Sequence, residues 1–166
     1  MILDPNTNER GMTLVEALVA ILILVFGIVP SLAIVFTGNA FAYSIRNNLV
    51  ASNLAQEGIE VVRAIRDANW FNNQPFDMGL LDGTYRLEWS SDILLPESGN
   101  PPLKVTPAGL YNYSSGIDTT FQRRMIITKI DPAGCSCELR VIAEVTWLER
   151  SGPKTIQVES HLFNWK

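Results

Sequence analysis

The chain has 166 residues, of which 47% are hydrophobic and 18% charged, and its net charge is −4. This length fits one ordinary domain or a small domain with an appendage, and the apolar content excludes disorder throughout. No block of basic residues occurs, which argues against nucleic-acid binding and against polybasic binding to anionic lipid. Two cysteines and one histidine supply little material for a metal site or histidine-based catalysis. The composition therefore favours a protein that is not an enzyme and that needs no cofactor or metal.

The first predicted element is an apolar helix near the N-terminus. Residues 1–10 are polar, whereas residues 17–36 contain no charge and consist largely of Leu, Ile, Val and Ala. Twenty helical residues span about 30 Å, which is the thickness of the hydrocarbon core of a bilayer. A secretory signal peptide cleaved after Ala42 is an alternative, but signal peptides have apolar cores of only about 7–15 residues. The segment predicts a membrane-embedded helix.

A single carboxylate, Glu16, opens this apolar run. Thr13 and Glu16 have the spacing of a capping box, in which the two residues satisfy backbone amides at a helix start. An acidic side chain in the first turn also suits the helix dipole. Glu16 alone is therefore explained by helix initiation. The combination of a glycine, a cap, a carboxylate and an apolar helix is more specific.

The segment Gly11-Met12-Thr13-Leu14-Val15-Glu16, followed by ALVAILILVFGI, resembles the class III signal of type IV prepilins and pseudopilins. The resemblance implies that a membrane prepilin peptidase cuts after Gly11 and that Met12 becomes an N-methylated N-terminus. It also implies that Thr13 and Glu16 serve assembly. Glu16, the fifth mature residue, would meet the terminal amine of a neighbouring subunit. The sequence departs from the family in having Met12 where phenylalanine is usual and in lacking a basic leader.

The helix is expected to extend well beyond the membrane anchor. We expect a leader over residues 1–11 and one helix over 12–67, with its anchor at 14–36 and an amphipathic half at 43–67. The amphipathic half carries small and apolar residues at three- and four-residue steps. Gly27, Pro30 and Gly38 are helix breakers, and Pro30 predicts a kink. The resemblance adds local melting of the helix at such breakers inside a filament.

Residues 68–166 are predicted to form a β-rich head. Alternating patterns predict about four strands, at 84–89, 121–130, 138–149 and 155–164, with short edge strands at 103–105 and 110–113. Residues 91–102 are predicted as a loop. The expected fold class is α+β: a long N-terminal helix packed on a small antiparallel sheet. This layout is similar to that of pilins.

The head offers few candidates for chemistry. Cys135 and Cys137 are predicted to be free thiols or one strained local disulfide, because a closed zinc site needs four ligands. His161 is expected beside Glu159 on the outer face of the last strand, and Glu144 and Glu149 are expected to be solvated. An exposed aromatic patch for surface adhesion is a weaker possibility, with candidate members Trp89, Tyr111, Tyr113, Phe121 and Trp165.

The sequence therefore supports a structural subunit, a minor pilin or pseudopilin, that assembles through its helix into a type IV pilus or a secretion pseudopilus. Its expected partners are the prepilin peptidase, other pilin or pseudopilin subunits and, before assembly, membrane lipid. Its expected location is the bacterial cytoplasmic membrane, with one span and the head outside the cytoplasm, and then the filament. A membrane-anchored binding module that does not polymerise is the alternative. A protein secreted after cleavage at Ala42 is a third hypothesis.

Overall fold

The computed structural model describes residues 11–130 and 137–165, which form two compact units, one ending at Tyr43 and the other beginning at Ser44. One helix contributes to both units, and all strands belong to the second. The elements are α1 (Leu14–Phe71), β1 (Gly83–Arg86), β2 (Leu95–Pro96), β3 (Pro102–Val105), β4 (Tyr111–Asn112), β5 (Ile117–Ile130), β6 (Glu138–Glu149) and β7 (Gly152–Phe163).

Helix α1 begins with a side-chain cap. The Thr13 hydroxyl oxygen accepts a hydrogen bond from the backbone N–H of Glu16 at 3.3 Å, and the Thr13 carbonyl accepts from Ala17 at 3.1 Å. These bonds satisfy a donor that the first turn would otherwise leave unpaired, as the capping spacing predicts. The helix is assigned without a break to Phe71, four residues past the expected end.

The sheet is antiparallel throughout and is built around β5. One edge of β5 pairs with β6, which pairs in turn with β7. The other edge of β5 pairs with β3 along its first half and with β1 along its second half. The short strands β2 and β4 extend β1 and β3, respectively. The predicted α+β class is confirmed.

One face of the sheet packs against the second half of α1. The helix contributes buried small and apolar residues between Ala51 and Val62, and β6 contributes one continuous inner face. The predicted inner residues of β6 are all buried: Leu139, Val141, Ala143, Val145 and Trp147. The backbone of Gly58 approaches Met125 so closely that an added Cβ would lie 2.7 Å from the sulfur. A side chain at this position would therefore require Met125 to shift.

Within residues 11–130 and 137–165 the sheet has seven strands, one more than the four main strands and two short edge strands that the sequence predicts. The predicted loop at 91–102 contains β2 and the first residue of β3, and both short strands include a proline. Proline and strands of two residues give no alternation, so the sequence pattern signals a loop there. The segment predicted as an edge strand at 103–105 instead lies between β4 and β5.

A buried arginine joins the helix to the sheet. Arg123 on β5 is 1% exposed and points toward α1. Its Nη1 donates to the Leu54 carbonyl at 2.9 Å and to the Glu57 carboxylate at 2.8 Å, and its Nη2 donates to the Leu87 carbonyl at 2.8 Å. The guanidinium thus connects α1, the sheet and the segment after β1. The sequence analysis did not find this residue.

Candidate functional site

The predicted processing residues precede the first turn of α1. Gly11 and Met12 are exposed, and a Cβ added to Gly11 would meet no atom within 4 Å. Packing within the described residues therefore does not account for glycine at this position.

The carboxylate of Glu16 lies on an exposed side chain in the first helical turn. The cap bond at this position uses the backbone N–H of Glu16, so the side-chain carboxylate is not part of the cap. Negative charge at this end of a helix is favoured by the helix dipole. The carboxylate is accessible to a positive group from outside the chain.

The helix surface beyond Glu16 is apolar and uncovered. Large hydrophobic side chains from Leu14 to Phe36 are each at least half exposed within the described chain. The helix is long and apolar enough to cross a membrane, and none of its most apolar stretch is buried. An exposed apolar surface this extensive requires lipid or other protein to cover it.

The predicted helix breakers lie on this uncovered surface. A Cβ added to Gly27 or Gly38 would meet no atom within 4 Å, and Pro30 lies inside the helix. The hydroxyl of Ser31 donates to the Gly27 carbonyl at 2.8 Å, and that of Thr37 donates to the Ala33 carbonyl at 2.8 Å. Each hydroxyl proton thus has an acceptor within the helix. This suits an apolar environment, in which an unsatisfied hydroxyl is costly.

The outer face of the sheet carries polar rows that run across strands. Glu144, expected to be solvated, is instead buried, with Arg124 Nε at 2.6 Å and Gln157 Nε2 at 2.6 Å. Burial alone would raise the pKa of Glu144, but the hydrogen bonds from Arg124 and Gln157 lower it below its usual value. Glu149 points to the opposite face, where it accepts from the Trp147 indole at 2.9 Å. The two carboxylates therefore do not form a pair.

A second polar cluster surrounds the single histidine on the outer face, where the sequence predicted it. His161 Nδ1 contacts Glu138, and His161 Nε2 lies 2.9 Å from Glu159. Arg140 donates two hydrogen bonds to the Glu159 carboxylate, at 2.8 and 2.9 Å. The Arg140 and His161 hydrogen bonds lower the pKa of Glu159 to about 2, and the partners Glu138 and Glu159 raise the pKa of His161. The arrangement is that of a surface ion network.

The histidine cluster gives the stability of the head a pH dependence. Because the folded state raises the pKa of His161, it favours the charged imidazolium. That contribution is complete below the ordinary pKa of about 6.5 and is lost as the pH rises through the raised value. We expect the free energy of unfolding to fall more between about pH 6 and pH 8 in the wild type than in His161→Gln. Urea unfolding at both pH values measures this difference, and equal slopes would contradict it.

The remaining predicted candidates do not converge on an active site. Cys137 is disulfide-bonded, so its sulfur is not a free thiolate ligand, and Cys135 lies outside the described residues. Within residues 11–130 and 137–165, no group of three or more His, Cys, Asp or Glu side chains could hold a metal ion. Phe121 is buried, whereas Trp89 and Trp165 are exposed. The five predicted aromatics therefore do not form one surface patch.

Comparison with known proteins identifies the N-terminal segment. Residues 6–32, about a sixth of the chain, match the family described as the prokaryotic N-terminal methylation motif. No curated protein and no solved structure matches the chain. The chain therefore carries a prokaryotic N-terminal methylation motif, a class III signal, at the start of a long apolar helix, and its α+β architecture is pilin-like. The motif is that of a substrate for prepilin processing.

Proposed function

We propose that this chain is a structural subunit, a minor pilin or pseudopilin, that assembles into a type IV pilus or a type II secretion-like filament. In this proposal the prepilin peptidase cuts between Gly11 and Met12, and the new N-terminus of Met12 is methylated. The mature helix anchors the subunit in the bacterial cytoplasmic membrane by a single span over residues 14–36. The head lies outside the cytoplasm, and assembly transfers the helix from lipid to neighbouring helices.

The observation that supports this proposal most directly is the exposed Glu16 carboxylate, which takes no part in the helix cap. It lies at the start of an apolar helix surface that the described chain leaves exposed. A carboxylate at bilayer depth costs several kcal/mol, less near the interface, unless a positive group lies close to it. The terminal amine that cleavage creates is such a group on every neighbouring subunit. Pairing Glu16 with that amine would offset the cost and set the register between subunits, while Thr13 keeps the helix start in place.

The helix breakers support the proposal that the exposed apolar surface of α1 serves assembly as well as membrane anchoring. Gly27, Pro30 and Gly38 have no packing role within the described chain. Glycine in a helix interior costs about 1 kcal/mol relative to alanine, and proline costs about 3. A subunit whose helix adjusts locally when it packs against others gives these residues a purpose that a plain membrane anchor does not.

Photocrosslinking distinguishes a filament subunit from an anchored binding module that does not polymerise. We expect a photoreactive amino acid at Ile23, within the uncovered surface, to give adducts with the helices of other subunits. These adducts should require an active assembly system. The same probe at Glu60, on the exposed side of α1 in the second unit, should not give these helix adducts. An Ile23 probe that labels only lipid, whether or not assembly is active, would support the binding module instead.

A further inference from the structure

A second surface of the molecule lies where α1 ends, beside the C-terminal end of β7. Six residues line a shallow cavity of about 290 Å³ there: Trp70, Asn73, Gln74, Pro75, Phe76 and Asn164. Ligand sites begin at about 300 Å³, so this volume suits one small unit of a ligand. None of the six lining residues carries a charge, so the cavity favours a neutral occupant.

The cavity has an aromatic wall that is fixed by its neighbours. Arg66 stacks over the Trp70 ring at 4.6 Å from its centroid, and Trp165 meets Trp70 edge-on with centroids 4.7 Å apart. Trp165 is nevertheless 73% exposed. An indole held against a second indole, with most of its surface in solvent, offers a rigid platform for a flat apolar face of a ligand.

The polar part of the cavity consists of three side-chain amides. Within the described residues, no hydrogen bond uses the side-chain amides of Asn73, Gln74 or Asn164. By contrast, the amide of neighbouring Asn69 donates to the carbonyls of Phe76 and Met78. Each free amide offers two donors and an acceptor. The three together provide more hydrogen-bonding capacity than a purely structural turn requires.

The backbone that carries these amides is fixed by hydrogen bonds before any ligand binds. Asn73 has a φ of 56°, a left-handed conformation typical of the residue after a helix end. Its N–H donates to the Trp70 carbonyl at 3.1 Å, and the N–H of Gln74 donates to the Asn69 carbonyl at 2.8 Å. The N–H of Asn164 donates to the Cys137 carbonyl at 2.8 Å. Preorganisation of this kind reduces the entropy lost on binding.

We propose that this cavity binds a neutral sugar unit of a polysaccharide or glycan. A pyranose ring has an apolar face of C–H groups that stacks on indole, and an equatorial rim of hydroxyls that donate to and accept from amides. An uncharged lining that includes the Trp70 indole and three side-chain amides, with the exposed Trp165 indole beside it, matches both parts of that chemistry. The proposal gives the head a ligand and does not depend on filament assembly.

The test uses the full chain in lipid nanodiscs, because detergents with sugar head groups would compete for the cavity. Isothermal titration with tetramers of N-acetylglucosamine and of glucose should detect binding of at least one sugar at millimolar concentration or below. Trp165→Ala should weaken that binding about tenfold or more, because it removes the exposed indole beside the cavity and the ring that packs against Trp70. Gln74→Ala should weaken it severalfold without touching the aromatic wall.

Trp89→Ala is the matched control, because Trp89 is 50% exposed and does not line the cavity. We expect it to leave sugar binding unchanged and so to exclude a general effect of losing an exposed tryptophan. The proposal is overturned if neither sugar binds, if Trp165→Ala and Trp89→Ala bind equally well, or if a proline-rich peptide occupies the cavity and sugars do not.

Discussion

Replacing Glu16 by alanine is expected to block incorporation of the subunit into filaments while cleavage after Gly11 remains largely intact. The cap bond at this position uses the backbone N–H of Glu16, which alanine retains. Alanine is also a better helix former than glutamate. The substitution therefore removes the charge and its small favourable interaction with the helix dipole, but it keeps the cap bond. Loss of incorporation would then indicate that the N-terminal amine of the neighbouring subunit needs the Glu16 carboxylate as its partner.

The measurement is quantitative immunoblotting of the mature chain in the filament and membrane fractions. We expect mature Glu16→Ala to accumulate in the membrane and to fall at least tenfold in the filament. Glu60→Ala is the matched control, since Glu60 is an exposed glutamate of the same helix whose partner is Arg63 at 2.7 Å. Wild-type incorporation of Glu16→Ala would refute the charge-pairing role.

Replacing Arg123 by methionine is expected to destabilise the head by about 1–3 kcal/mol, because it removes the donor of a buried backbone carbonyl. The change leaves the Leu54 and Leu87 carbonyls without this donor and leaves Glu57, whose side chain is 35% exposed, without its cation. A buried acceptor without a partner costs about 1–3 kcal/mol. The loss is large against a total stability of about 5–15 kcal/mol.

Urea unfolding followed by tryptophan fluorescence measures this effect, because Trp147 lies in the same core. Arg63→Met is the matched control, since Arg63 lies on α1 with its side chain 41% exposed and its partner Glu60 is 63% exposed. We expect a cost of about 1 kcal/mol or less for the control, as for other ion pairs near the surface. Equal destabilisation by the two variants would refute the structural role of Arg123.

The N-terminal site was predictable because its information is local. Thr13 and Glu16 are three residues apart, and the helix that follows is a single uninterrupted apolar run. The cap bond then follows from the spacing alone. The inner face of β6 was predictable for the same reason, because apolar residues recur at every second position from Leu139 to Trp147.

The features that sequence reasoning missed depend on residues far apart in the chain. Arg123 contacts Leu54 and Glu57 across more than sixty residues. The only local signal was a charge in phase with Phe121 and Met125, which places the arginine on the buried side of β5. Glu144 was expected to be solvated because its partners Arg124 and Gln157 lie on the two neighbouring strands.

The candidate sugar cavity was not predictable from the sequence for the same reason. It requires Asn164 to lie beside Gln74, and ninety residues separate the two positions. The sequence predicted Trp165 as a member of an aromatic patch, but the fold places the other predicted members of that patch away from this cavity. Only the end of α1 and the end of β7, brought to one place, create the combination of an indole wall and free amides.

The N-terminal residue and the intact mass of the mature protein test the central claim most directly. The protein should be purified from a membrane that contains its own prepilin peptidase and sequenced from its N-terminus. We expect the chain to begin at Met12, with a methyl group on the terminal amine. A chain that begins at Met1 would reduce the helix to a simple anchor, and one that begins at Tyr43 would contradict the membrane assignment altogether.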